Sequence, residues 1–324
     1  MPTVTITATD REGHAASVTV DYAVGQAKPV ASNTGVPAGT VLTVHNGDMT
    51  ISTPGTVLDS LDIHGRVSVT ATNVTIKRCR VRGNATLVTN VGLINATNAA
   101  VSNLLIEDCT LAPDIPSIWW NGITGHDFTA RRCNVYGTID GVGIFNTNND
   151  GGPVNVVVIS CYIHDLAYFS PDSNHASDQP VSHTHNDCVQ VQGGTDIELG
   201  WNNLQGFCSP VYGSDISLDA AHANSSGGYN IHAPYLQASS AIQINVRGSF
   251  VPGGFNIHDN WIDGGAYSIN TEAATYPNFG TISNNVFGDQ QRPDNPAYMS
   301  VPKSATVTGN VHEATGLPVP TKTF

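Results

Sequence analysis

Charged side chains make up only 12 % of this 324-residue chain, and cations are the scarcer kind: 13 Lys and Arg stand against 26 Asp and Glu, a net charge of −13. Between Arg132 and Arg247 there is no Lys or Arg at all. A nucleic-acid ligand needs a basic stripe that displaces counterions, so that partner class is excluded. The same gap argues against a polyanionic glycan gripped by the middle of the chain and favours a neutral one. Also missing are the long apolar periodicity of an amphipathic helix and any run near the roughly 20 apolar residues of a membrane span. No membrane insertion is expected. The N-terminal MPTVTITATD has neither the basic nor the apolar region of a secretory signal, so such a signal is expected to be absent or to have been removed before this numbering begins.

What is plentiful is Gly, Asn, Thr and Val, a composition suited to short strands and tight turns. Nine segments align without gaps, among them VTIKRCRVRG from Val74, LLIEDCTLAP from Leu104, VVVISCYIHD from Val156, YNIHAPYLQA from Tyr229 and FNIHDNWIDG from Phe255. Each has two alternating apolar residues, a turn residue, then another apolar residue. The turn position holds Cys79, Cys109, Cys133, Cys161, Asn202, Pro234, Asn260, Asn285 and Asn310. A period near 25 with two strands per unit and no helix fits a β-solenoid better than a sandwich or propeller. The four cysteines share a register with four asparagines, so they are read as an inward ladder of small free thiols about 4.8 Å apart.

A second strand set, NGITG, DGVGI, DCVQV, SAIQI and GAYSI, begins at Asn121, Asp140, Asp187, Ser240 and Gly265. Those five starting residues are expected to form one outward column; Gly143, Gln190, Gln243 and Ser268 form another. Residues 1–24 read as a β-hairpin, VTITATD and ASVTVDYAV, that docks or caps; 25–40 are a linker; 41–324 are the solenoid of about ten coils.

The V-x-I-x-x-[CN]-x-[VI] coils resemble the pectate-lyase-like superfamily of right-handed, single-stranded parallel β-helices, over about residues 40–315. That resemblance implies an all-β fold with the ladder at the short turn between the second and third sheets, long loops before the first sheet, and the active site on the first sheet's face. The passage from GVPAGTVLTVHNGDMTISTPG into NVTIKRC is similar to tail-spike or minor tail proteins of actinobacterial phages. By that likeness the chain would be a virion-tail, extracellular-facing part. Its partners would be a host surface polysaccharide and, through the hairpin, other tail proteins, in a homotrimer.

The 41 residues from Cys161 to Asn202 insert a loop, 165–186, just before DCVQV, and long loops on regular scaffolds tend to carry function. Asp140 and Asp187 should lie about 5 Å apart on adjacent coils, close enough for one carboxyl to be pushed up and serve as acid beside a base. TIDGVGI and HNDCVQV also resemble polygalacturonase motifs, which would make Asp187 the general acid and Asp140 the group activating water. Ile139 and Asn186 depart from those motifs, and galacturonate specificity is not implied. Three other readings stand beside this glycoside hydrolase: His183, His185 and Asp187 as ligands of a divalent cation, with no cofactor otherwise expected; an Asp column capping backbone N–H groups; and a non-catalytic sugar platform. Asn121, His183, His185, Gln190 and Gln243 are the candidate polar contacts, and Trp119, Trp120, Tyr168 and Phe169 the stacking ones. Tyr162, Tyr235 and Trp261 are expected to share an outward column on another sheet. The functions that remain are a glycan-binding and glycan-cleaving tail spike, a receptor-binding adhesin, and a bacterial polysaccharide hydrolase or lyase.

Overall fold

The short alternating segments of the sequence each form one strand, and the strands stack coil upon coil. This is a computed structural model, which describes residues 3–9, 15–21, 27–84, 89–145, 152–169, 184–213, 231–232, 235–247, 251–290 and 297–324. Three sheets run the length of the solenoid, with one strand of each in nearly every coil, and every coil-to-coil pairing along them is parallel. The first sheet runs from Met49–Ile51 to Thr321–Thr323, the second from Val57–Asp59 to Ala305–Thr308, the third from Thr43–Asn46 to Val311–His312. The chain is an all-β parallel β-helix. Its core is a column of aliphatic side chains from all three sheets, such as Ile123 and Val189 of the first, Ile76 and Ile106 of the second and Val81 and Ile163 of the third, none of them exposed.

The ladder turn repeats with little variation because its geometry is local. The residue before the ladder position adopts positive φ in coil after coil: Arg78, Asp108, Arg132, Ser160, Trp201, Asp259, Asn284 and Gly309. That conformation costs most side chains about 1 kcal/mol. The ladder offsets it. The Asn260 amide donates to Leu199 O (2.8 Å) and Asn285 Oδ1 (2.9 Å), while its own Oδ1 accepts the N–H of Asn202 (2.9 Å). Asn202, Asn285 and Asn310 repeat the arrangement. Cys79, Cys109, Cys133 and Cys161 continue the stack as buried free thiols.

Asn202 bonds directly to Asn260, 58 residues on, so YNIHAPYLQA is not a coil. Pro234 lies outside the described residues. Its neighbours Ile231–His232 and Tyr235–Gln237 pair antiparallel with each other, and the latter also with Phe207 and Cys208, forming an arm beside the solenoid. The second large insertion therefore sits between Asn202 and Asn260. Tyr235 belongs to this arm and leaves the column it was expected to share; Tyr162 and Trp261 both align with Asn203.

The N-terminal strands Thr3–Thr9 and Ala15–Asp21 pair antiparallel, Thr3 opposite Asp21. The following linker is a packed strap on the third sheet. Pro29 O accepts from Asn203 Nδ2 (2.8 Å), and Gly35 and Val36 donate to Arg132 O and Thr110 Oγ1 (2.8 and 3.1 Å).

Candidate functional site

The first sheet's face is set by a bend just inside its strands. A Cβ at Gly141 would lie 2.3 Å from Ile163 Cγ2 and 2.6 Å from Cys188 O, so only Gly fits there. In the next coil Cys188 fills the same position, its thiol directed to Ile163 O. That bend breaks the simple alternation. Asn121, Asp140, Asp187 and Ser240 do share one register, but they are buried, at 9 %, 7 %, 1 % and 0 % exposure, rather than open to solvent. Gly265 is not among them: Ser240 pairs with Tyr267.

This buried column caps backbone. Asn121 Oδ1 accepts the N–H of Asp140 (3.3 Å), and Asp140 Oδ1 accepts the N–H of Asp187 (3.0 Å). Asp187 Oδ1 is buried with no hydrogen-bond partner among the described residues. Burial pushes the Asp187 carboxyl well above the usual carboxylate range, and the neighbouring Asp140 charge adds to the shift. Burial likewise pushes the Cys188 and Cys208 thiols up, which leaves them inert. The sequence-derived pair is thus brought together, in a dry setting.

The outward face is a different column. The register runs from Thr50 and Ser68 through Asn95, Thr124, Gly143, Gln190, Gln243 and Asn270 to Ser300 and Lys322. Asn270, not Ser268, is the partner of Gln243; Ser268 is buried at 1 %. Every member but Gly143 carries a hydrogen-bonding side chain, Thr124 and Ser300 being buried and the others at least partly exposed, and nine spacings of about 4.8 Å make the register about 43 Å long. Gln243 Oε1 accepts from Ser240 Oγ (3.1 Å) and Asn270 Nδ2 (2.9 Å), and Gln190 Oε1 from Gln192 Nε2 (3.1 Å). The amides are therefore held in place before any ligand arrives. Gly143 leaves a notch between Thr124 and Gln190.

The remaining candidates divide. Trp120 is 1 % exposed and Tyr168 2 %; both are core side chains and cannot stack on a ligand from outside. Trp119 and Phe169 are half-buried. His185 is exposed whereas Asp187 is buried, so the two do not share a face as alternation predicted. His183 and most of the 165–186 loop lie outside the described residues, and among those described no cluster of three His, Cys, Asp or Glu could hold a metal ion.

Sequence reasoning missed a cleft at the far end of the same strands. Gln190, Gln192, Asn245, Val246, Arg247 and Glu272 line an open cleft of about 400 Å³. Glu272 Oε2 accepts the N–H of Val246 (2.8 Å), and the Arg247 guanidinium lies 5.7 Å above the Phe145 ring. The available signal was Arg247 itself, the residue that ends the long cation-free run.

Fold and face together define a parallel β-helix that carries a hydrogen-bonding stripe on its first sheet. No family model matches the chain, and no curated protein is similar to it. Among solved structures it is similar to the A-module of the Azotobacter vinelandii mannuronan C-5 epimerase AlgE6, at 12 % identity and a TM-score of 0.41, over 84 % of this chain and 79 % of that one.

Proposed function

We propose that this protein binds an extended glycan along the outer face of its first sheet, as a tail-spike-like or minor tail protein of a phage virion. The observation that carries the reading is the column of pre-positioned amides at Gln190, Gln243 and Asn270, spaced at one coil and without charge. A glycan presents hydroxyls at a regular repeat, and such a column offers donors and acceptors to each in turn. The phage assignment rests on the likeness of the opening coils to tail proteins and on an N-terminal hairpin joined to the solenoid by a strap, which suits attachment to other tail proteins. Purified protein incubated with host envelope polysaccharide should co-sediment with it, and Gln243→Ala should reduce the bound fraction. Absence of binding to every envelope glycan of candidate hosts would overturn the reading.

Cleavage is a second reading, favoured by one observation: Asp187 and Asp140 sit in register on adjacent coils, Asp140 Oδ1 accepting the Asp187 N–H, and burial pushes the Asp187 carboxyl up. Asp187 would protonate the leaving oxygen while Asp140 activates water. Reducing ends released by the wild type and lost in both Asp140→Asn and Asp187→Asn would support hydrolysis. Binding without release leaves the protein a receptor-binding adhesin.

A further inference from the structure

The cleft beyond Gln190 differs from the rest of the stripe in what it leaves unmatched. Asn245 Oδ1 is buried and has no hydrogen-bond partner among the described residues. A buried acceptor without a donor is costly, and a ligand O–H or N–H would relieve it. At the same cleft, Arg247 makes no ion pair with a described carboxylate, although Glu272 lines the wall; the Glu272 Oε2 atom is held by the Val246 N–H. The Phe145 ring under the guanidinium contributes an attractive face without neutralising the charge. Gln192 spends its amide N–H on Gln190, so its Oε1 faces no described donor. The unmatched groups are the amide oxygens of Asn245 and Gln192, the second oxygen of Glu272 and one guanidinium fork, the last suited to bidentate contact with an oxyanion.

We infer that this cleft takes a sugar bearing an anionic substituent, a carboxylate or a phosphate ester, with Arg247 on the oxyanion and Asn245 Oδ1 accepting from a neighbouring hydroxyl. The inference rests on glycan binding along the first sheet and narrows its substrate class. It reverses the expectation of a wholly neutral ligand, because the one cation that ends the cation-free run returns to the stripe. The volume of about 400 Å³ holds one or two sugar rings, so the charge is read at one position and the remaining units are held by neutral contacts.

The test uses the full chain and three small probes, glucose, glucuronate and glucose 6-phosphate, followed through the Arg247 side-chain NMR resonance. Both anions, or one of them, should shift that resonance saturably, and the two arms distinguish carboxylate from phosphate. Glucose should not. Arg247→Gln, with binding followed by titration calorimetry, should weaken anion binding about tenfold, the worth of one charge-assisted hydrogen bond. High salt should weaken it too, since the screening length falls to about 3 Å at 1 M. Asn245→Leu should weaken the anions while leaving the fold's melting temperature in place. Equal response to glucose, or no response to either anion, would overturn the inference. A polysaccharide that still binds in an Arg247-independent way would sink this inference alone and leave the proposed glycan face standing.

Discussion

Replacing Asp187 with Asn should stabilise the folded chain above neutral pH and flatten its pH dependence. Asp187 is 1 % exposed, one of its oxygens has no partner among the described residues, and its carboxyl is pushed up by burial and by Asp140. The sign follows from proton counting. In the unfolded chain this carboxyl has the ordinary Asp value, so between that value and the raised folded one the folded state holds a proton that the unfolded state has released. Stability is therefore fully present below the unfolded value and declines as pH rises toward the folded one, by about 1.4 kcal/mol per pH unit for one proton. Asn keeps the shape and a donor but carries no charge, so the slope due to this site disappears. Above the window the variant should be more stable than the wild type by about 1–3 kcal/mol, the order of one desolvated polar group. For a chain of this size each kcal/mol moves the midpoint by about 2 °C. Thermal melts of both proteins from pH 4 to pH 9 make the comparison. A variant that melts lower than wild type at pH 8 and keeps the same slope would refute the reasoning.

Asn260→Ala removes two donors and one acceptor from the ladder and leaves the Asn202 N–H and Leu199 O without partners, a loss of about 3 kcal/mol or more readable by urea denaturation. Cys133→Ala should cost only about 1–2 kcal/mol, and a reducing agent should leave the wild-type midpoint unchanged, because the six cysteines are free. Trp120→Ala should cost about 3–5 kcal/mol in stability, since its ring fills the core against Gly83 and Leu93; glycan affinity measured on the folded fraction should hold.

The solenoid was legible because its determinants are local and repeated. A positive-φ residue, a small ladder side chain and flanking alternation recur within ten residues, and Cys133 or Asn285 can be read without any long-range information. Where the reading failed, the same local pattern served another purpose. YNIHAPYLQA alternates as a coil does, yet its strands turn back on themselves, and alternation alone does not encode whether a strand pairs parallel or antiparallel. GAYSI was placed two residues out of register because Gly264 and Gly265 both take positive φ and make a turn before the strand begins. The Asp column was correctly aligned, but its burial and its use in accepting backbone N–H groups of the next coil depend on what packs over the strand, which alternation does not encode. Trp120 and Tyr168 were read as surface aromatics because sequence gives position along a strand but not what lies above it. The cleft at Asn245 and Arg247 escaped because it follows the apolar alternation, where no pattern remains to be counted.

The most direct test of glycan recognition by the first sheet is a paired affinity measurement against one bound envelope polysaccharide. Gln190→Ala with Gln243→Ala alters the outward column of the first sheet, whereas Asn256→Ala with Thr281→Ala alters an exposed hydrogen-bonded pair on the second. The account predicts that the first double variant loses about tenfold or more in affinity, as two hydrogen bonds of about 1 kcal/mol each would give, and that the second binds like the wild type. Equal loss in both, or loss only in the second-sheet variant, would contradict it.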